Sequence, residues 1–240
     1  SVPLIHHIHF HVPDATVSQA WFCRAIGMKM VRRVERDDRI TYLLRYRNAW
    51  FLLSSPTTPH SPIARYLQAH APGVADVALE VDDLSAVLGR AAGRHHTSSP
   101  DPPEDLRPLE ELLAGSPGAR WGRVRGWGSV SHTLVQRSPT ACRSPALRSV
   151  IDHVVLNVPA GELDAAAGWY EHLFGFERQQ DFRIGTARSG LRSQVLRSRR
   201  GELYFNINEP ACERSQIQDF INVNRGAGIQ HLALRCEPLL

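Results

Sequence analysis

The chain has 240 residues, a length that suits one large or two small domains. Hydrophobic residues make up 42% of it and charged residues 22%, as in an ordinary globular protein, and no apolar run reaches the roughly 18 residues of a membrane span. The net charge of +4 comes mostly from arginines on predicted strand edges and turns, without the interleaved aromatic residues of a nucleic-acid site. We therefore expect no membrane or nucleic-acid partner. Since no basic segment precedes an apolar one at the N-terminus, we expect a cytoplasmic protein.

The first half of the chain combines helices with runs of short strands. An opening strand is followed by a helix to Ile26, which Asp14 is predicted to cap and Gly27 to end. Loosely alternating apolar and polar residues predict six further strands, near 29–36, 39–46, 49–54, 73–81, 120–126 and 128–136. Further helices are predicted near 61–71, from a cap at Asp82 to about Ala92, and near 106–114.

The second half of the chain repeats the first. Residues 5–13 align with 151–159, so that His7 falls on His153, and the later alignment of two glycine-led strands places Asp76 on His231. The repeated unit is β-α-β-β-β; the first half holds two such units, and the second half holds one and the opening strand of another. We predict an N-terminal domain, a linker and a C-terminal domain over residues 1–137, 138–149 and 150–240.

Four ordered motifs in the second half carry a resemblance to a known family. They are Asp152-His153, Ser189–Ser193, Asn206–Pro210 and Ser215–Leu234. Together they resemble the 4-hydroxyphenylpyruvate dioxygenase family of the vicinal oxygen chelate superfamily. The resemblance implies an α+β fold in which tandem β-α-β-β-β modules form open half-barrels. Members of the family extend further at the C-terminus, so we expect the second half-barrel, and the chain, to be C-terminally incomplete.

Two histidines in apolar strands are the candidate metal ligands. A buried imidazole without a partner is costly, so His153 and His231 need either a metal or a hydrogen bond to the backbone. Non-haem Fe(II) oxygenases use two histidines and one carboxylate on one face of the metal. The resemblance implies that these two histidines bind Fe(II) and that Val155, on the same strand face, lines the pocket. The family's third ligand, a glutamate, has no counterpart in this sequence.

The first half also contains histidines, at positions 6, 7, 9 and 11. They could form a metal cluster that takes up zinc or nickel, because alternate residues of a strand share one face. At the positions equivalent to the other ligands, however, the first half carries Asp76 and Thr133. We therefore expect the first half to be a scaffold that does not hold the catalytic metal.

The resemblance also implies substrate-binding residues and a reaction. Ser193, Asn208, Gln216 and Gln230 match pocket residues, although Asn208 could instead cap a strand end and Gln216 could be a helix surface residue. The implied protein is a homo-oligomeric enzyme of tyrosine catabolism that converts 4-hydroxyphenylpyruvate, a 2-keto acid, and O2 to homogentisate and CO2. Two alternatives remain: an enzyme similar to hydroxymandelate synthase, and a truncated, non-enzymatic paralogue without the third iron ligand.

Overall fold

The computed structural model describes residues 4–92, 98–99, 106–114, 118–138, 150–185, 190–199 and 203–235. Within these ranges the strands β1 to β13 are Leu4–His11, Lys29–Arg36, Arg39–Tyr46, Ala49–Pro56, Gly73–Glu80, Ser98–Ser99, Arg120–Arg125, Ser131–Gln136, Ile151–Asn157, Glu177–Gly185, Gly190–Arg197, Tyr204–Pro210 and Gly228–Leu234. The helices α1 to α6 are Ala15–Ile26, Pro62–Ala69, Leu84–Ala92, Glu110–Ala114, Leu163–Phe174 and Gln216–Asn224. None of these described helices is both long and apolar enough to cross a bilayer.

The strands form two open sheets that share one connectivity. The first sheet has the order β2-β3-β4-β1-β5-β8-β7-β6 and the second has the order β10-β11-β12-β9-β13. In both, the opening strand pairs in parallel with the fourth strand of its half and antiparallel with the fifth. The predicted α+β fold of repeated β-α-β-β-β modules in open sheets is confirmed. The division at 138–149 stays a prediction, since 139–149 lie outside the described ranges.

The pairing of strands places the two halves in the register that the sequence repeat predicts. Val155 of β9 lies opposite His231 of β13, and His9 of β1 lies opposite Asp76 of β5. Each pair follows a register shift or bulge in its ladder. Asp76 therefore occupies in the first sheet the position that His231 occupies in the second.

The helix ends follow from the residues that cap them. The Asp14 carboxylate accepts hydrogen bonds from two backbone N–H groups in the first turn of α1, at 2.8 and 3.0 Å, as predicted. Gly27 and Gly175 end α1 and α5 in the left-handed conformation, with φ of 77° and 70°. The prediction that Asp82 caps α3 is wrong by one residue: the helix begins at Leu84, and Asp83 accepts a first-turn N–H at 2.9 Å.

One hydrophobic cluster contains residues from both halves of the chain. His132 of β8 is fully buried against the rings of Trp169, Tyr170, Phe174 and Phe205, with centroid distances of 5.5–6.3 Å. Its Nδ1 lies 2.8 Å from the Val77 carbonyl, which can only accept, so Nδ1 carries the hydrogen. Its Nε2 then accepts from the Tyr170 hydroxyl at 3.0 Å. A polar pair thus joins β8 of the first half to α5 of the second.

The β7–β8 hairpin also contacts the turn that precedes β13. The Ser129 N–H donates to the Ala227 carbonyl at 3.0 Å, and the Trp127 indole N–H donates to the Glu162 carboxylate at 2.8 Å. Gly128 has φ of 63°, and a Cβ added there would collide with the Ala227 carbonyl oxygen. The close approach of the two backbones therefore requires glycine.

Candidate metal and substrate site

The two candidate metal ligands lie close together on one face of the second sheet. Their ring centroids are 5.8 Å apart, and the ring planes are inclined at 78°. His231 is paired with Val155, two residues along β9 from His153, so both histidines follow the same side of the pleat. The His153 side chain is 28% exposed and His231 is exposed, so a metal or substrate can reach both rings.

A carboxylate and an arginine orient the first of these histidines. His153 Nδ1 lies 2.9 Å from Asp152 Oδ2, and Arg235 donates to Asp152 Oδ1 at 2.7 Å. Because the ionised carboxylate can only accept, the hydrogen is on Nδ1, and Nε2 keeps the lone pair that a metal requires. The same two hydrogen bonds, first that from His153 and then that from Arg235, lower the pKa of Asp152 below its usual value. The role of Asp152 and Arg235 was not predicted.

The second histidine is held in its neutral form. Partial burial, and then the nearby His153, lower the pKa of His231 below its usual value. A neutral imidazole is the form that binds a metal. Within the described ranges, no group of three His, Cys, Asp or Glu side chains is arranged to hold a metal ion. The described residues therefore bring together the two predicted ligand positions, His153 and His231, without a third candidate beside them.

A buried polar row crosses the same sheet. Ser193 of β11 lies opposite Asn208 of β12, which in turn lies opposite Asn157 of β9, and all three residues are buried. Asn208 Nδ2 donates to Asn157 Oδ1 at 3.4 Å, whereas the Asn157 amide nitrogen is buried without a hydrogen-bond partner among the described residues. A buried donor without a partner is costly, so this arrangement favours a polar ligand group beside it. Asn157 was not predicted as a pocket residue, although it shares a strand face with His153.

The polar row lies further along the sheet than the histidines. Asn157 is two residues from Val155, the partner of His231, and four from His153, which correspond to about 7 and about 13 Å along a strand. Val155 itself is 2% exposed and is paired with His231. The face therefore offers imidazoles at one end, an apolar side chain between, and amide and hydroxyl groups at the other end.

The two predicted glutamines lie on β13 and at the start of α6, outside the buried polar row. Gln230 is half-buried at the register shift that immediately precedes His231 in β13. Gln216 is the first residue of α6, directly after the capping Ser215, and its side chain is exposed. Helix α6 packs against β12, β9 and β13. Of the predicted pocket residues, Val155 is therefore paired with a histidine of the site, whereas Gln216 is an exposed residue of the helix that packs on the sheet.

The corresponding place in the first sheet is filled by hydrogen bonds among its own residues. The Asp76 carboxylate accepts from the Thr133 N–H and from the Thr133 hydroxyl, each at 3.0 Å, and Arg123 Nε lies 3.6 Å away. His9 bonds to Ser54 at 2.7 Å, and burial lowers the pKa of His9 to about 3. In the part of the chain that is described, the N-terminal histidines form no metal cluster. These contacts engage the side chains at the ligand-equivalent positions, and the scaffold role of the first half stays a prediction.

Comparisons of sequence identify relatives of this chain. Residues 4–103 and 150–239 match the model of the Glyoxalase/Bleomycin resistance protein/Dioxygenase superfamily. An uncharacterized protein of Synechocystis, slr0090, is 32% identical over 233 residues, which are 95% of this chain and 65% of that protein. The 4-hydroxyphenylpyruvate dioxygenases of Caenorhabditis elegans and Sus scrofa are 29% and 28% identical in alignments of 264 positions, which cover 98% of this chain and 65% of each enzyme. The chain thus spans about 65% of the length of these relatives.

Comparisons of structure agree on the fold. A variant of 4-hydroxymandelate synthase from Streptomyces coelicolor superposes with a TM-score of 0.80 at 23% identity, over 96% of this chain and 70% of that chain. A fusion of a xylose isomerase-like TIM barrel with 4-hydroxyphenylpyruvate dioxygenase gives a TM-score of 0.69 at 22% identity, over 100% of this chain and 37% of that chain. The shared fold and the family match over both halves lead to one conclusion: the chain belongs to the Glyoxalase/Bleomycin resistance protein/Dioxygenase superfamily.

Proposed function

We propose that this protein is an Fe(II)-dependent dioxygenase that acts on 4-hydroxyphenylpyruvate, giving homogentisate and CO2. The observation that supports this function best is the pair of histidines, His153 and His231, whose rings are 5.8 Å apart on one sheet face. Sequence similarity to 4-hydroxyphenylpyruvate dioxygenases of animals supports the same substrate. A cytoplasmic location, a role in tyrosine catabolism and a homo-oligomeric state stay predictions.

The donor set suits ferrous iron. His153 and His231 would hold the metal, and Asp152 would fix the His153 ring in its ligating tautomer. No carboxylate within the described ranges completes the group, so these residues would supply two of the three ligands. Bound Fe(II) would supply the electrons that activate O2 and a Lewis-acidic position for the two oxygens of the keto acid.

The remaining residues of the face would position the aromatic end of the substrate. Along the strands, the polar row of Ser193, Asn208 and Asn157 lies about 7 Å from the level of His231 and about 13 Å from that of His153, which would leave room for an aromatic ring between them. The Asn157 amide nitrogen, which has no partner among the described residues, would donate to the phenol oxygen, and the Val155 side chain would pack against the ring and exclude water. Gln230 and Gln216 would complete the polar contacts at the margin of the pocket.

Oxygen consumption by the purified chain tests this proposal. With Fe(II), ascorbate and 4-hydroxyphenylpyruvate, we expect O2 uptake and the appearance of homogentisate by chromatography. His231→Ala should abolish both, whereas His172→Ala, which removes an exposed histidine of α5, should leave both unchanged. Formation of 4-hydroxymandelate would instead identify the enzyme as similar to hydroxymandelate synthase. A folded chain with no uptake would favour the non-enzymatic alternative.

A further inference from the structure

The first half of the chain contains a cleft that the proposed reaction does not use. It has a volume of about 610 Å³ and lies between α2 and the β7–β8 hairpin. Ligand pockets in proteins typically have volumes of about 300–1,000 Å³. Its lining includes Arg65, Tyr66, His70, Arg123, Arg125 and Ser131, and no carboxylate is among the described residues that line it. The cleft therefore concentrates cationic side chains around a space of ligand size.

The arginines of this cleft are only partly neutralised. Arg123 lies 3.6 Å from the buried Asp76 carboxylate. Arg65 donates at 3.2 Å to a backbone carbonyl, that of His60, which carries no charge. Arg125 is exposed and makes no ion pair with any residue in the described ranges. Of the three guanidinium groups, only that of Arg123 lies beside a carboxylate of the described residues, and the positive potential of a concave surface with this composition attracts anions.

An aromatic surface lies beside these guanidinium groups. The Tyr66 ring has its centroid 4.8 Å from that of His11 and 5.3 Å from that of His70. The Tyr66 hydroxyl donates to the Val74 carbonyl at 3.3 Å, which fixes the ring against β5. A fixed ring face can stack on an aromatic ligand, while guanidinium groups bind phosphate or carboxylate through paired N–H donors.

We propose that this cleft binds a small molecule in which an aromatic ring carries a phosphate or a carboxylate group. The arginines would bind the oxyanion, and Tyr66 would contact the ring. The site lies in the half of the chain that lacks His153 and His231, so the proposal does not depend on the iron-dependent function.

Calorimetric titration of the full chain tests the proposal with three probes. Phenyl phosphate and phenylacetate carry the two candidate oxyanions on one ring, and benzyl alcohol is the neutral control. We expect one of the two anions to bind with a stoichiometry of one, and the one that binds identifies the anionic group. Benzyl alcohol should not bind, and binding of the anion should weaken as ionic strength rises.

Variants then locate the binding site. Arg65→Gln with Arg125→Gln should weaken binding of the anionic probe at least tenfold, whereas Arg24→Gln with Arg36→Gln, which removes the same charge from exposed positions on α1 and β2, should not. Arg125→Lys, which keeps the charge but loses the paired donors, should give an intermediate affinity and guards against misfolding of the double variant. Failure of both anions to bind the folded protein, equal binding of benzyl alcohol, or undiminished binding in the cleft variants would overturn the proposal.

Discussion

At the scale of single residues, Asp152 determines which nitrogen of His153 is available to bind a metal. Its carboxylate receives hydrogen bonds from His153 and from Arg235 on its two oxygens. The histidine tautomer, the ring orientation and the basicity of Nε2 all depend on this contact. Arg235 in turn fixes the carboxylate, so the side chain that follows β13 stabilises a residue at the start of β9.

We predict that Asp152→Asn lowers the affinity of the protein for a divalent metal about 10- to 100-fold. The neutral amide cannot stabilise the Nδ1–H of His153 as a carboxylate does, and it loses the ion pair with Arg235. Titration with Co(II), followed by its visible absorption, measures this affinity in place of air-sensitive Fe(II). Asp37→Asn, which changes an exposed turn residue, is the matched control. Equal affinity of the Asp152 variant and the unmodified protein would show that the contact does not support the metal site.

The sequence predicts some of these residues and not others for a physical reason. His153 and His231 are recognisable because an imidazole in an apolar strand stands out against its neighbours, and strand alternation puts Val155 on their face. The role proposed for Asn157 rests on its amide nitrogen being left without a partner after folding. That depends on the pairing of β9 with β12, which a single sequence does not contain.

At the scale of elements, the β7–β8 hairpin has a longer turn than the sequence predicts, over residues 126–130. Residues 120–126 and 128–136 are predicted as strands, but β8 begins at Ser131, and the Gly126 N–H bonds across the turn to the Val130 carbonyl at 2.9 Å. Alternation alone does not distinguish these turn residues from strand. The helix ends are predicted more closely, because a capping aspartate or a left-handed glycine is a local signal that needs no distant partner.

We predict that Gly128→Ala lowers the free energy of unfolding by about 1–3 kcal/mol, because the added methyl meets the Ala227 carbonyl and the backbone has a positive φ. Gly89→Ala is the opposite control: it lies in the interior of α3 with open space around it, so it should raise stability by about 0.5–1 kcal/mol. Urea unfolding of both variants measures the difference. If Gly128→Ala were neutral, the hairpin would not be held against the second half as closely as described.

At the scale of the whole molecule, buried histidines couple folding to pH. Burial lowers the pKa of His132 from 6.5 to about 4, although its hydrogen bond to the Val77 carbonyl opposes the shift. The unfolded chain therefore binds a proton that the folded chain excludes between these two pH values. The contribution of His132 to the free energy of unfolding is therefore complete above pH 6.5 and is lost as pH falls towards 4.

We predict that His132 alone contributes a loss of up to about 3 kcal/mol across this range, or about 1.4 kcal/mol per pH unit. In His132→Gln, overall stability should fall, but its dependence on pH should become shallower by about one proton. His172→Gln should keep the slope of the unmodified protein, since that side chain is exposed. Urea unfolding at several pH values gives the slopes. An unchanged slope in His132→Gln would mean that this histidine does not titrate on unfolding.

The position of His132 also shows that the two sequence repeats depend on each other for packing. The ring comes from the first half, yet it packs among the aromatic side chains of α5 and β12 in the second. The repeat that carries the two predicted metal ligands therefore depends on the other repeat for part of its packing. Transplanted by itself into another polypeptide, it would leave indole and phenyl surfaces in contact with water. The two repeats resemble each other in sequence, yet an exchange of one between proteins must also supply the other.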